Sequence, residues 1–247
     1  MIFHIVTLFP EVIHTYTGCG VLGKAAERGI IEVRTYQLRD YTDDRHRTVD
    51  DYPYGGGAGM ILKPEPIFRA VEHIKSLLKG DAGRVPVYLT TPQGEPFSAA
   101  KAKETALLSD VIIVCGHYGG VDERVAENIA DELISVGDFV MTGGELASLI
   151  IVDVAARFVP GVVGNEESVL KDSFEENLLG APQYTRPPEF QGWRVPDVLL
   201  SGDHKKIETW RREQQLKRTA EKKPENLKNT KLSGDDTAFL KSIGYDL

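Results

Sequence analysis

The residue types whose spacing could do chemistry in this chain are glycines and cations rather than metal ligands. Tyr54-Gly55-Gly56-Gly57-Ala58-Gly59 is a run that few regular structures tolerate, and glycines let backbone amides come close to a bound group. The run lacks the Lys-Ser/Thr ending of a phosphate-binding loop, and no GxGxxG follows the first apolar stretch as it does in dinucleotide-binding folds. Taken alone it reads as a tight turn. The second group lies between His204 and Lys223, where Lys205, Lys206, Arg211, Arg212, Lys217, Arg218, Lys222 and Lys223 stand against three Glu. That is a local balance of about +5 in a chain of net charge −8. One basic helix on an acidic body suits a partner that presents phosphates to a limited face, as a folded RNA does; a solvated helix with intrahelical ion pairs fits the charge equally well. The overall charge excludes non-specific coating of nucleic acid. Cys19 and Cys115 are far apart and have no partners at metal-ligand spacing, so neither a zinc site nor a disulfide framework is expected, and both read as small buried hydrophobes.

The elements that must position these groups alternate. Ile2 to Phe9 reads as a strand, Val21 to Arg28 as a helix and Ile31 to Tyr36 as a strand. After the polar stretch Asp40 to Gly59, a helix starts at Pro64-Glu65-Pro66, a strand spans Val85 to Leu89, and Ser98 caps the next helix. A strand Val111 to Cys115, a helix opened by Asp122-Glu123, a strand Glu132 to Ser135 and an apolar helix Glu145 to Phe158 complete this half. Such an order predicts an α/β fold with a mostly parallel sheet whose ligand sits beyond the carboxyl ends of the strands. Three loops fall there: 90–94, 116–120 and 136–144. Beyond Pro160-Gly161 the chain becomes polar and then charged and helical, interrupted by Thr185-Arg186-Pro187-Pro188 and closed by an amphipathic helix near Asp235 to Ile243. The expected organisation is a domain over 1–160, a linker over 161–174 and a smaller, mostly helical domain over 175–247. No apolar stretch of about 18 residues occurs, and the start lacks a secretory pattern, so a soluble, cytoplasmic protein without membrane association is expected.

Several segments occur in a fixed order: Asp44-Arg45-His46-Arg47-Thr48-Val49-Asp50-Asp51, Pro53 to Met60, Val121-Asp122-Glu123-Arg124-Val125, Gly143-Gly144-Glu145-Leu146, Arg157-Phe158-Val159-Pro160-Gly161-Val162, Asp172-Ser173-Phe174 and Tyr184-Thr185-Arg186-Pro187. Together they closely resemble the bacterial tRNA guanine-N1 methyltransferases, of the SPOUT class, across essentially the whole chain. The resemblance implies what alternation alone does not: a parallel-sheet domain tied in a deep trefoil knot, against the general rule that chains are unknotted. It implies S-adenosylmethionine bent in that knot at Leu89, Pro92, Gly94, Gly116, Tyr118, Val136, Gly137, Phe139, Met141, Gly143 and Gly144. It also implies a homodimer whose active site lies at the subunit interface, and a tRNA substrate methylated on the guanine immediately 3′ of the anticodon.

Methyl transfer to guanine N1 is an in-line displacement in which N1 must lose a proton, so the site needs a base and a cationic donor near O6, where negative charge grows. The resemblance assigns these roles to Asp172 and Arg157. Read only as residues, Asp172 could cap a helix starting near Phe174, and Arg157 could pair with Asp153 one turn back. Gly59, Ser168, Tyr184 and Arg186 are candidates for holding the flipped region of RNA, with Lys205, Lys206, Arg211 and Arg212 on its phosphates. Arg45 and Arg47 could add contacts or pair with Asp44, Asp50 and Asp51. The chain departs from the family pattern at three positions: Gly119 stands where a glutamate is usual, Ala147 where a proline is, and Gly180 where an acidic residue is. Some family members need a divalent cation, but no metal-ligand spacing assigns one here. Two rival readings keep RNA as partner. A ribose 2′-O-methyltransferase would share the fold, although Asp172-Ser173-Phe174 speaks against it, and a non-catalytic RNA-binding homologue would account for the lost carboxylates. A nucleotide-binding protein with no RNA role leaves the basic helix unexplained.

Overall fold

The computed structural model describes residues 1–78, 85–164 and 172–245, and the chain folds into two compact units, Met1–Glu166 and Glu167–Leu247. In the first unit the elements follow as β1 (Ile2–Thr7), α1 (Pro10–Thr17), α2 (Gly20–Glu27), β2 (Glu32–Gln37), β3 (Asp50–Asp51), β4 (Ile61–Leu62), α3 (Pro64–Leu77), β5 (Val87–Pro96), α4 (Ala99–Ala106), β6 (Asp110–Cys115), α5 (Glu123–Asn128), β7 (Glu132–Ser135) and α6 (Glu145–Ala156). The main sheet runs β2-β1-β6-β5-β7, every pair parallel. This bears out the α/β class read from the alternation.

Alternate residues of the central strands feed two cores, because successive side chains in a strand point to opposite faces. Phe3, Ile5, Tyr88 and Ile113 pack with Ile13, Leu22, Ile151 and Val152 on one face. Val6, Leu89, Ile112 and Val114 pack with Ile67, Val71, Ile74 and Val125 on the other. A parallel sheet covered on both faces explains why β6 reads as an unbroken apolar run. Helix starts follow their capping residues. Ser98 Oγ accepts from the Lys101 N–H (3.2 Å), and the Asp122 carboxylate accepts from the Arg124 N–H (3.0 Å). Pro64 opens α3, and Pro10 opens α1, a position where a missing N–H costs nothing.

Three details differ from expectation. The first strand stops at Thr7, and α1 follows at once. Strand β5 runs on to Pro96, with Thr90 and Glu95 both opposite Ile134, so that residues 91–94 loop out between them. Cys115 is buried, and burial pushes its thiol pKa up, but Cys19 is exposed. It occupies the N-cap of α2, where its thiol donates to the Thr15 carbonyl (3.3 Å) instead of packing in the core.

The second unit is smaller and mostly helical: Asp197–Leu200, His204–Lys222, Pro224–Leu227 and Gly234–Ser242, with a short hairpin of β8 (Glu189–Phe190) and β9 (Trp193–Arg194). Its core centres on Leu178, Leu216, Leu227 and Leu240. Arg212 ties the unit together: its guanidinium donates to both oxygens of Asp236 (3.1 and 2.9 Å) and to Glu176 (2.9 Å). Asp236 completes a capping box with Ser233 at the start of the last helix.

Candidate functional site

The carboxyl ends of β5, β6 and β7 enclose a cavity of about 510 Å³. Its walls are the three loops that strand order selects, and they include Leu89, Pro92, Gly116, Tyr118, Val136, Gly137, Phe139, Met141, Gly143 and Gly144. Gly94 is not part of the lining. A Cβ there would overlap the backbone of Leu133 and Ile134, so Gly94 is where β5 presses against β7. Thr90, His117 and Thr142 also line the cavity, and no residue-level signal in the sequence marks them.

The rear wall is held by backbone. Gly144 N–H donates to the Gly116 carbonyl (2.7 Å), and His117 bridges antiparallel to Gly143. A Cβ on Gly144 would overlap Thr90 Oγ1 and the backbone of Cys115 and Gly116. The chain at 143–144 therefore passes hard against the ends of both β5 and β6, an approach open only to glycine. Beneath it lies the buried Glu145 carboxylate at the start of α6. Its Oε1 accepts from Thr7 Oγ1 (2.7 Å), while its Oε2 stands 3.9 Å from His117 Nδ1, a buried atom without a hydrogen-bond partner.

The Gly-rich run leads up to this wall without entering it. Gly55, Gly56, Gly57 and Gly59 have φ between 81° and 130°, the left-handed region that favours glycine. The residues that follow are stitched to the 119–122 loop: Gly119 N–H donates to Met60 O (2.8 Å), Leu62 N–H to Gly120 O (3.0 Å) and Asp122 N–H to Leu62 O (3.0 Å). Gly59 is thus an exposed neighbour of the cavity rim rather than a lining residue. In the preceding motif the Asp44 carboxylate accepts from the His46 and Thr48 N–H groups, which holds its pKa below the usual range, and Arg47 pairs with Asp40.

The other candidate residues fall elsewhere. Arg157 is exposed at the C-cap of α6. Asp153, one turn earlier, faces Tyr16, and its charge raises the Tyr16 pKa. Both Asp153 and Tyr16 line an open, mostly apolar groove of about 740 Å³ between α1, α2 and α6, with Val12, Val21, Leu146 and Leu149. In the second unit a cavity of about 1120 Å³ brings together Asp172, Tyr184, Arg186, Arg211 and Arg212. Lys205 and Lys206 lie on the same helix but not in its lining, and Ser168 lies outside the described residues. The ion pairs of Arg212 reach across the unit to Asp236 and Glu176 rather than along its own helix.

The three departures are accommodated in different ways. A Cβ at Gly119 would meet Met60 O at 3.0 Å, so a side chain there requires a shift of a few tenths of an ångström. Ala147 costs α6 nothing, because the first helical bond is Ser148 N–H to Gly144 O and position 147 precedes the ladder. Gly180 N–H donates to Ser173 Oγ (2.9 Å), and its carbonyl accepts from Arg218 (3.3 Å). Among the described residues no group of three or more His, Cys, Asp or Glu is arranged to hold a metal ion, and no helix is long and apolar enough to cross a membrane.

The sequence matches, over residues 1–229, the family described as tRNA (Guanine-1)-methyltransferase TrmD. It is 50% identical over 243 residues to a tRNA (guanine-N(1)-)-methyltransferase of Geotalea uraniireducens (strain Rf4), covering 98% of this chain and 97% of the relative. It is 48% identical over 237 residues to the enzyme of that name from Halalkalibacterium halodurans, covering 96% and 95%. For Clostridioides difficile (strain 630) the identity is 47% over 223 residues, covering 90% and 96%.

Proposed function

Since the chain belongs to the tRNA (guanine-1)-methyltransferase family, we propose that it transfers a methyl group from S-adenosylmethionine to N1 of the guanine immediately 3′ of the anticodon in tRNA. The observation that carries this reading is end-to-end similarity to enzymes of that name, joined to a strand-end cavity lined by three glycine-rich loops.

The residues present fit the cofactor. A cavity of about 510 Å³ lies within the range of about 300–1,000 Å³ usual for small ligands, and a lining loop held against the strand ends at Gly144 supports a preformed shape. Leu89, Pro92, Gly116, Tyr118, Val136, Gly137, Phe139, Met141, Gly143 and Gly144 would hold S-adenosylmethionine, which when bound supplies an electrophilic methyl group on a sulfonium. This chain's own contribution is to the guanine. The Asp172 carboxylate takes the N1 proton, converting a poor nucleophile into a good one, and the Arg157 guanidinium donates to O6 as charge moves there. Tyr184, Arg186, Ser168 and Gly59 hold the flipped nucleotide region, and Lys205, Lys206 and Arg211 meet phosphates, whereas Arg212, expected among them, has all three guanidinium nitrogens engaged by Asp236 and Glu176.

Several further features belong to the same proposal. The passage of 143–144 against β5 and β6 supports a knotted first domain over 1–160, followed by a linker over 161–174 and an RNA-binding domain over 175–247. The apolar groove between α1, α2 and α6, with Val12, Tyr16, Val21, Leu146 and Ile150 exposed, supports a two-fold homodimer, with the active site at the subunit interface and Asp172 serving a partner's cofactor. A cytoplasmic setting follows from a tRNA substrate. No cation is assigned.

The test is transfer of a labelled methyl group to unmodified tRNA transcripts that differ only at the guanine after the anticodon, run beside Asp172→Ala. Label at N1 that collapses in the variant is the expected result. Glycine at positions 119 and 180 favours the binding-only reading, which predicts RNA affinity without transfer; label on a ribose hydroxyl would instead assign the 2′-O reaction.

A further inference from the structure

Among the described residues of the second unit, the β8–β9 hairpin is explained neither by the core nor by the residues assigned above. Gln191 (φ 53°) and Gly192 (φ 82°) form a two-residue turn with both central residues left-handed, the geometry that matches strand twist. The register sets Phe190 directly across from Trp193 and Glu189 across from Arg194. The two rings share a face, with centroids 6.1 Å apart and planes tilted by 54°. They remain 58% and 71% exposed, although this unit has a core of only a few leucines and could have used large apolar side chains there. Burying two aromatic rings is among the larger stabilising terms open to a small unit, so leaving both in water points to an external partner.

What that partner is follows from where the hairpin stands and what surrounds it. Its stem continues into the cavity wall: Val195 N–H donates to the Pro188 carbonyl (2.9 Å), and both residues line the cavity that also holds Tyr184, Arg186 and Arg211. Arg194, 69% exposed, pairs with Glu189 (3.5 Å) on the opposite face of the hairpin, so the ring face itself carries no charge and the cations nearest to it along the chain are those of the cavity. Flat π-faces on a stem that leads into a cavity holding Arg186 and Arg211 match an unstacked nucleobase on a phosphate-bearing chain better than an aliphatic protein surface.

We propose that Phe190 and Trp193 form a stacking platform for an unpaired nucleobase neighbouring the one received by the adjacent cavity, and so a contact that fixes the RNA loop without reading its sequence. The inference rests on the RNA-methylating reading given above. An aromatic face accepts any base, so the platform adds affinity and register while discrimination stays with the cavity.

The test compares Trp193→Ala, Phe190→Ala and the conservative Trp193→Phe with the unaltered protein and with Leu107→Ala, an exposed apolar residue in the other unit. The RNAs are anticodon stem-loop transcripts, intact or abasic at one unpaired position at a time, read by equilibrium binding and single-turnover methyl transfer. Trp193→Ala should weaken binding to intact RNA by roughly 5- to 150-fold, the range for one base-aromatic stack, and raise the RNA concentration that half-saturates the single-turnover rate more than it lowers the maximal rate. Trp193→Phe should restore most of the affinity, and Leu107→Ala should change nothing. On one abasic transcript the unaltered protein and Trp193→Ala should bind alike. The proposal is overturned if Trp193→Ala binds intact RNA normally, if its deficit persists on every abasic transcript, or if sedimentation shows that it disrupts a dimer, which would make a second copy the occupant. Failure of the methylation reading is distinct: the unaltered protein would transfer no methyl group whatever the hairpin variants do.

Discussion

The strand-end cavity of the first unit and the basic cavity of the second solve the same problem, holding a ligand, with opposite materials. The first is lined by three glycine-rich strand-end loops, with Gly144 pressed against the ends of β5 and β6, and rests on two cores that cover both faces of a sheet. The second is walled by side chains, among them Asp172, Tyr184, Arg186 and Arg211, over a small cluster of leucines and an arginine-centred ion-pair set. Backbone placed by a deep core gives a fixed shape, suited to a constant cofactor. Side chains on a light framework give charge and protons, which suits the reacting guanine and its RNA.

The largest expected effect tests whether chemistry sits on the side-chain half. Asp172→Ala should lower the rate of methyl transfer by about 10²- to 10⁴-fold in single-turnover assays, with cofactor affinity unaltered; equal losses in both would place Asp172 in the cofactor site and dissolve the contrast. Next comes the difference in core depth. Leu216→Ala, at a position 1% exposed, should cost about 2–5 kcal/mol and melt the second unit ahead of the first, visible as two calorimetric transitions where loss of a single shared transition would show one cooperative body. Gly144→Ala probes the backbone wall. Forcing a methyl group against Thr90 and Gly116 should cost about 1–3 kcal/mol and weaken calorimetric binding of S-adenosylhomocysteine, whereas binding at the original affinity would mean the wall can yield. The smallest effect is with pH. The Arg212 guanidinium holds the Asp236 carboxyl below its ordinary range, so that pair's contribution is fully present above the unfolded value near ~3.9 and is lost only as pH falls through the lower folded value. Acid titration of the melting temperature should show this loss in the second unit and not in Arg212→Met.

How far the sequence discloses this contrast depends on how local each feature is. The strands of the sheet, the Ser98 and Asp122 caps and the three cavity loops follow from period, capping chemistry and alternation, all legible within a few residues. Helix α1 is masked because Val12, Ile13, Thr15 and Thr17 are β-branched and continue the texture of β1; the opening Pro10 was the available signal. The exposure of Cys19 depends on the α1–α2 junction, which composition does not specify. Least legible is the buried layer behind the cavity wall. Thr7 and Glu145 meet across 138 residues, and the unpartnered His117 nitrogen sits just past the end of β6, a strand inserted between β1 and β5. The residues named for chemistry came from motif resemblance, since a lone aspartate or arginine is more often a cap or an ion pair.

That contact between Thr7 and Glu145 also sets a clock. A ribosome adds about 5–20 residues per second, so Thr7 precedes Glu145 by roughly 7–28 s of synthesis. Strand β1 can pair with β2 early, but its other edge waits for β6, which arrives about 100 residues later. Throughout that interval a nearly all-apolar strand has one unpaired edge, so the nascent chain is most open to faulty association before its ligand pocket exists at all.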